Sequence, residues 1–337
     1  MKKMYWILIT ILLFGCTEEI DIPVTNNNSN IVVQGMIEKG EPAKILLTTN
    51  FTFNQQFSTQ SILEQNVIND AEVIITNSDG LSEELSLVPE LPNEIEEYFP
   101  ALSGLNIYPS DTYVYNYSGD IIKGEEGESY LLEITRGDEY VWSITTIPTL
   151  IPIIEDDIQY IRRPTDEDDD DAGCYAYARI PIQDADTIGN CWQISSKRCW
   201  DKSYTSMAGG EEGLYNDEYI NGWTTPIDIY PGIGFWESYD EEDDNNQDDP
   251  CFETVIDGCS GATDAFWSVG ETFDLKFSTL DRASWDFWVS LLNNNPGNPF
   301  GSPSQAKSNI NGGFGVFSGM SSQHLIELTI PEDLEIE

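Results

Sequence analysis

Basic side chains are scarce. The 337-residue chain has 15 Lys and Arg against 60 Asp and Glu, a single histidine, and a formal charge of -45 at pH 7. No face of such a chain can neutralise a run of phosphates, which excludes nucleic acid as a partner. Adhesion to anionic lipid is disfavoured on the same ground. No run of about 18 apolar residues occurs, so no segment suits a helix spanning roughly 30 Å of hydrocarbon. Cysteine is absent between Cys16 and Cys174. The first half of any folded body must therefore hold by packing alone.

The start of the chain reads as an export signal. Lys2 and Lys3 precede an apolar run from Tyr5 to Phe14, broken only by Thr10, and Gly15 stands directly before Cys16. The run is too short to anchor by spanning. The pattern resembles a bacterial lipobox, in which cleavage leaves an acylated cysteine as the first mature residue. Residues 1–15 are read as signal peptide, Cys16 as the lipid attachment site, and the asparagine-rich residues 16–30 as a tether. Removing Lys2 and Lys3 with the signal leaves 13 basic against 60 acidic side chains. Glu18 and Glu19, just after Cys16, look like an acidic tag for the outer face of the outer membrane.

Beyond the signal, 40% apolar content with nine tryptophans and sixteen tyrosines argues for a folded body. Strand candidates with alternating β-branched and aromatic residues occupy 31–37, 43–49, 71–77, 83–88, 111–117, 129–135 and 140–146. Asp79-Gly80 and Gly137-Asp138 supply turns between them. A proline-rich loop covers 89–110. The fold class is mainly β: an N-terminal sandwich of immunoglobulin or transthyretin type over 31–150, then a β-rich sandwich or open-barrel domain with one helix over 151–337. The boundary is the extended stretch 147–157, with Pro148 and Pro152. In the second domain 174–182, 191–200 and 272–280 read as strands. Residues 284–294 read as a helix capped by Ser284, with Trp285, Trp288, Leu291 and Leu292 on one face. Gly313–Phe317 and Leu325–Ile330 read as a closing hairpin joined through Ser318–Ser322.

Candidate functional residues fall in the second half. Trp192, Trp200, Tyr204, Tyr215, Tyr219, Trp223 and Trp236 are interrupted by glycines and polar residues, a texture that fits long loops pinned by aromatic anchors and a binding surface. The acidic runs at 166–171 and 237–249 hold oxygen ligands suited to Ca²⁺, with Asp168, Asp170, Asp240, Asp243 and Asp244 as candidates. Neither has the EF-hand spacing, and consecutive acids that point different ways and repel one another read more plainly as solvated loops than as calcium-stabilised ones. Cys174, Cys191, Cys199, Cys251 and Cys259 are disulfide candidates, enough for two bridges with one thiol over, Cys191–Cys199 and Cys251–Cys259 being the short-loop choices. Their spacings match no zinc pattern. His324 has no G-x-S-x-G elbow to serve, and reads as a strand-edge residue.

Several separated pieces resemble one family: Cys16 with Ile20-Asp21, Ile31-Val32-Val33-Gln34-Gly35, Ala71–Ile75 closed by Asp79-Gly80, Trp285–Trp288, Gly297–Phe300 with Pro303, and above all the block from Ser308 to Phe317. The chain is similar to the Bacteroidota surface lipoproteins carrying domain of unknown function number 4249. The resemblance supplies no catalytic residues, and no cofactor is expected beyond the Ca²⁺ candidates. It implies an accessory or ligand-binding partner of a TonB-dependent transporter at the outer membrane, exposed on the cell surface and not an enzyme. A hydrolase of glycans or peptides and a structural adhesin are the alternatives. Within the block, Asn311-Gly312-Gly313 reads as a sharp turn into a strand.

Overall fold

The computed structural model describes residues 31–49, 66–88, 115–163, 174–198, 204–206, 213–231, 266–292 and 306–334. The signal segment, the tether, the loop 89–110 and both acidic runs lie outside them. The described chain is mainly β, with three sheets arranged as sandwiches and one α-helix.

The first half contributes β1 (Ile31–Glu38), β2 (Pro42–Thr49), β3 (Glu72–Asn77), β4 (Ser82–Glu84), β5 (Ser86–Leu87), β6 (Tyr117–Lys123), β7 (Ser129–Arg136) and β8 (Glu139–Thr146). Alternation does its expected work. Tyr130, Leu132 and Ile134 of β7 and Val141 of β8 all point inward. The four-stranded sheet β4-β3-β7-β8 covers β1, β2 and β6 around Ile31, Val33, Ile45, Leu47, Val73 and Ile75.

The stretch 83–88 forms two short strands in different sheets rather than one. Leu85 lies between them, its N–H donating to Val73 O, while Glu83 turns its carboxylate inward. That carboxylate accepts the N–H groups of Asp120 (2.6 Å), Ile121 (2.9 Å) and Ile122 (2.7 Å). Of the strand expected at 111–117, residues 111–114 lie outside the described residues, and the described strand runs from Tyr117 to Lys123. Asn116, buried just before it, accepts Leu47 N–H with its side-chain oxygen and donates its amide to Ile68 O.

The second half adds β9 (Gln159–Arg162), β10 (Tyr175–Gln183), β11 (Cys191–Arg198), β12 (Thr205–Ser206), β13 (Leu214–Asn216), β14 (Thr224–Ile229), β15 (Trp267–Ser268), β16 (Thr272–Leu280), α1 (Arg282–Leu292) and β17 (Phe314–Thr329). β9, β10, β14 and β15 form a sheet that faces β11 and β16. Between them lie Ile180, Trp192, Ile194, Trp267, Phe273 and Phe277, with the Trp267 and Phe273 rings stacked at 4.1 Å.

The expected C-terminal hairpin does not exist. β17 runs unbroken for 16 residues. Its first part pairs parallel with β1, Val32 opposite Phe314 through Glu38 opposite Met320. Its remainder pairs antiparallel with β16, Leu280 opposite Met320 through Thr272 opposite Thr329. Ser318–Ser322 look like turn residues but are strand residues at which the pairing passes from β1 to β16, Met320 meeting both, and Ser318, Gly319 and Ser321 are buried. Gly315 lies at φ 119°, where a Cβ would sit 1.9 Å from Val33 O. No other residue permits that approach. The result is one nine-stranded sheet, β12-β11-β16-β17-β1-β2-β6-β5 with β13 on β11, shared by both sandwiches.

Both sandwich cores pack on one face of β17, through Phe317 and Leu325. The helix packs on the other face. Trp285, Phe287 and Trp288 meet Met36, Leu280, Val316 and Met320 there. Asp281 caps this helix, not Ser284, because the helix starts two residues earlier than the sequence suggests. Its carboxylate accepts Ser284 N–H (3.0 Å), the Ser284 hydroxyl, Gly319 N–H (3.0 Å) and the Thr145 hydroxyl (3.0 Å).

The stretch 147–157 forms neither helix nor strand before a single 3-10 turn at Glu155–Asp157, and it does not hang free. Ile147 lies in the first core and Ile153 in the second. The backbone of Ile153 exchanges two hydrogen bonds with the Gln323 side chain, at 2.8 and 2.9 Å. The first core also draws Ile310 and Phe317 from the far end of the chain.

Burial raises the Glu83 carboxyl while the three amides lower it, and the net shift is downward. Its contribution to stability is full above the ordinary carboxylate range and is lost as pH falls through the folded value. Glu83→Gln should lower the unfolding free energy by about 1.5–3 kcal/mol at neutral pH. In urea melts the gap from the unmodified chain should narrow as the pH is lowered below about 4. A gap independent of pH would contradict this role.

Candidate functional site

Two turns at one end of the second sandwich form the best-built surface feature. The turn 184–190 carries the chain from β10 in one sheet to β11 in the other, and the turn 217–223 carries it back from β13 to β14. Each begins with an aspartate and has a glycine near its end: Asp184 with Gly189, Asp217 with Gly222. The β11–β13 and β10–β14 pairings place the two turns side by side.

They are tied by buried carboxylates. Asp217 accepts the N–H groups of Gly189 (2.7 Å) and Asn190 (2.9 Å). Asp184 accepts Gly222 N–H at 2.9 Å and the Asn190 side-chain amide at 3.1 Å. The same amide donates to Thr187 O at 2.6 Å. Asp184 N–H donates to Trp223 O, and Asp217 N–H to Asn190 O. With both aspartates buried, charge-assisted bonds of this kind hold firmly.

On this base stand three large apolar side chains in water: Ile188 is 89% exposed, Tyr219 87% and Trp223 70%. Folding does not hide them, and the knot beneath them limits their backbone freedom. The arrangement can present a preorganised apolar and aromatic contact to another surface.

The remaining expected aromatics divide. Trp192 is fully buried and belongs to the second core, and Tyr215 packs against it half-buried. These two are core residues, not binding-loop residues. The segment 192–239 is not simply loop, since it contains β12, β13 and β14. Pro226 interrupts the alternation of the strand Thr224–Ile229 and hides it in the sequence. Tyr204 is half-buried, with its hydroxyl 3.3 Å from His324 Nδ1 and its ring edge-on to the imidazole. Trp200 and Trp236 lie outside the described residues, as do Cys16 and Asp168, Asp170, Asp240, Asp243 and Asp244. Among the described residues no group of three or more His, Cys, Asp and Glu is placed to hold a metal ion. No helix among them is long and apolar enough to cross a membrane.

Sequence reasoning singled out Tyr219 and Trp223 but missed Ile188, Asp184, Asp217 and Asn190. The available signal was the pair of similar segments, Asp184 to Asn190 and Asp217 to Gly222, each a turn opened by an acid whose side chain can accept backbone N–H groups.

Cys191 is a free thiol, fully buried between sheet and helix, so it is not a disulfide partner and the Cys191–Cys199 choice falls. Cys174 is buried beside β10, while Cys199, Cys251 and Cys259 lie outside the described residues. Burial pushes the Cys191 thiol up to about 12; Arg282 opposes this, and Asp217, Asp281 and Asp286 add to it. A protonated, buried thiol is a poor nucleophile. Iodoacetamide at about pH 8 should leave Cys191 unlabelled in the native chain and label it after guanidinium unfolding, read by peptide mass spectrometry. Rapid native labelling would contradict the assignment.

The family profile described as Domain of unknown function (DUF4249) matches residues 17–325, nearly the whole chain. The chain belongs to that family. No curated protein and no solved structure matches it.

Proposed function

We propose that this chain is a surface lipoprotein of the outer membrane, held by lipid on Cys16, which docks on a TonB-dependent transporter through the turns 184–190 and 217–223. The observation that carries the reading is the exposure of Ile188, Tyr219 and Trp223 on a base fixed by Asp184 and Asp217. Tyrosine and tryptophan dominate binding energy at protein contacts. A base already ordered loses little further freedom on association.

The short apolar run ending at Cys16 supports export and lipidation, and the lipid would hold the two partners in one plane. Confinement of that kind raises effective concentration, so a contact of modest area suffices. In the oxidising exterior we infer that Cys174, Cys199, Cys251 and Cys259 form two disulfides. Setting Cys191 aside leaves an even number of cysteines beyond the lipid site.

The test is co-purification from detergent-solubilised outer membranes of the native host. The lipidated chain should bring down a barrel transporter in near-stoichiometric amount. Tyr219→Ala combined with Trp223→Ala should cut the recovery at least about tenfold with the melting temperature unchanged, as expected for two hot-spot truncations. Recovery of the chain alone, or equal recovery with the double variant, would refute the docking surface.

A further inference from the structure

A second surface lies on the first sandwich, away from those turns. Alternation along β8 turns Val141, Ser143 and Thr145 inward and Tyr140, Trp142 and Ile144 outward. The register continues the pattern across the sheet. Ile144 stands opposite Leu131, Trp142 opposite Glu133 and Tyr140 opposite Thr135. On the next strands Leu131 stands opposite Thr76, Glu133 opposite Ile74, and Ile74 opposite Glu84. Across the middle of the sheet Trp142, Glu133, Ile74 and Glu84 thus alternate apolar and acidic side chains, beside the apolar row Tyr140, Trp142 and Ile144 along β8. No Lys or Arg occupies an outward position on these strands.

We propose that this outer face binds a neutral glycan. Tyr140 and Trp142, two residues apart on one strand, stand about 6.6 Å from each other. Consecutive rings of one sugar chain can lie across both. Sugar C–H faces stack on aromatic rings as other apolar groups do, and hydroxyls donate well to carboxylates. Glu133 accepts the Tyr140 hydroxyl at 2.6 Å, which orients that ring. An ionised carboxylate has further lone pairs to offer a ligand.

The same features weigh against other occupants. The free edge of β8 is taken at its middle, where Asn311 and Trp142 exchange backbone hydrogen bonds at 2.8 and 3.1 Å. The opposite edge is the three-residue β4. An extended peptide therefore finds little edge on which to add a strand. Protein contacts exclude charge from their centres, yet here Glu133 sits between Trp142 and Ile74. An anionic polymer would meet the Glu133 and Glu84 carboxylates at the middle of the face.

The probe is native affinity electrophoresis of the signal-less chain with Cys16→Ser, in gels containing galactomannan, barley β-glucan, xyloglucan, dextran or, as the anionic control, polygalacturonate. At least one neutral polymer should retard the chain. Trp142→Ala should weaken that retardation at least tenfold, and Tyr140→Phe two- to threefold through loss of the bond to Glu133. Trp142→Tyr, which keeps a ring and guards against misfolding, should retain most of the binding, and Trp223→Ala all of it. Absence of retardation in every neutral polymer would overturn the proposal. So would equal retardation by polygalacturonate, or retardation indifferent to Trp142→Ala. Loss of transporter recovery on Trp142→Ala would instead assign this face to a protein.

Discussion

Everything in this fold depends on one strand being paired on both sides. β17 lies parallel to the first strand of the chain along its first part and antiparallel to β16 along the rest. The partners Val32 and Phe314 are separated by almost the whole folded chain. Such pairing carries a large loop-closure cost before any contact offsets it. Once made, it fixes the spacing of both sandwiches and the seat of the helix. Phe317 fills the first core, Leu325 the second, and Val316 and Met320 face α1. The block from Ser308 to Phe317, before and within β17, serves this pairing. Asn309 holds Phe317 by both its backbone groups, at 2.8 and 2.9 Å, and the Ser143 hydroxyl donates to Asn309 O.

A second constraint follows from composition. With four times as many acids as bases, most buried carboxylates cannot be paired with cations. Here buried Glu83 and Asp217, and half-buried Asp281 and Asp274, are satisfied by backbone amides instead. Glu83 takes three, Asp217 two, Asp281 two, and Asp274 one at the bulge where Glu327 turns to φ 57°. Two buried cations are spent at joints: Arg198 on Glu271 and Lys276 on Glu38. Glu126 ties the turn after β6 to Lys39 and Ser321, and the Lys39 ammonium helps to hold its carboxyl below the ordinary range. The acidity often treated as surface character is thus also structural.

What could be read in advance follows from the range of the interactions. Strands at 129–146 declare themselves because alternation is local and the turn at Gly137-Asp138 is short. The helix face was legible through Trp285 and Trp288, though not its cap, since Asp281 also answers to Thr145 and Gly319 from elsewhere in the chain. Ser318–Ser322 misled because small polar residues favour turns when isolated. Here they are small because Thr145 and Thr146 of β8 pass so close that a Cβ on Gly319 would stand 2.7 Å from Thr146 O. Among the aromatics, sequence texture could not separate Trp192 from Trp223. One is covered by partners on distant strands, and the other tops a turn whose base is made by aspartates from two separate segments.

The central claim is that the first sandwich is incomplete without the end of the chain. The direct measurement is thermal unfolding of an excised segment, residues 31–150, followed by circular dichroism and tryptophan fluorescence. Alone it should show no cooperative transition, and joining residues 306–322 to it by a flexible linker should restore one. A cooperative melt of the isolated segment, matching that of the whole chain, would contradict the account.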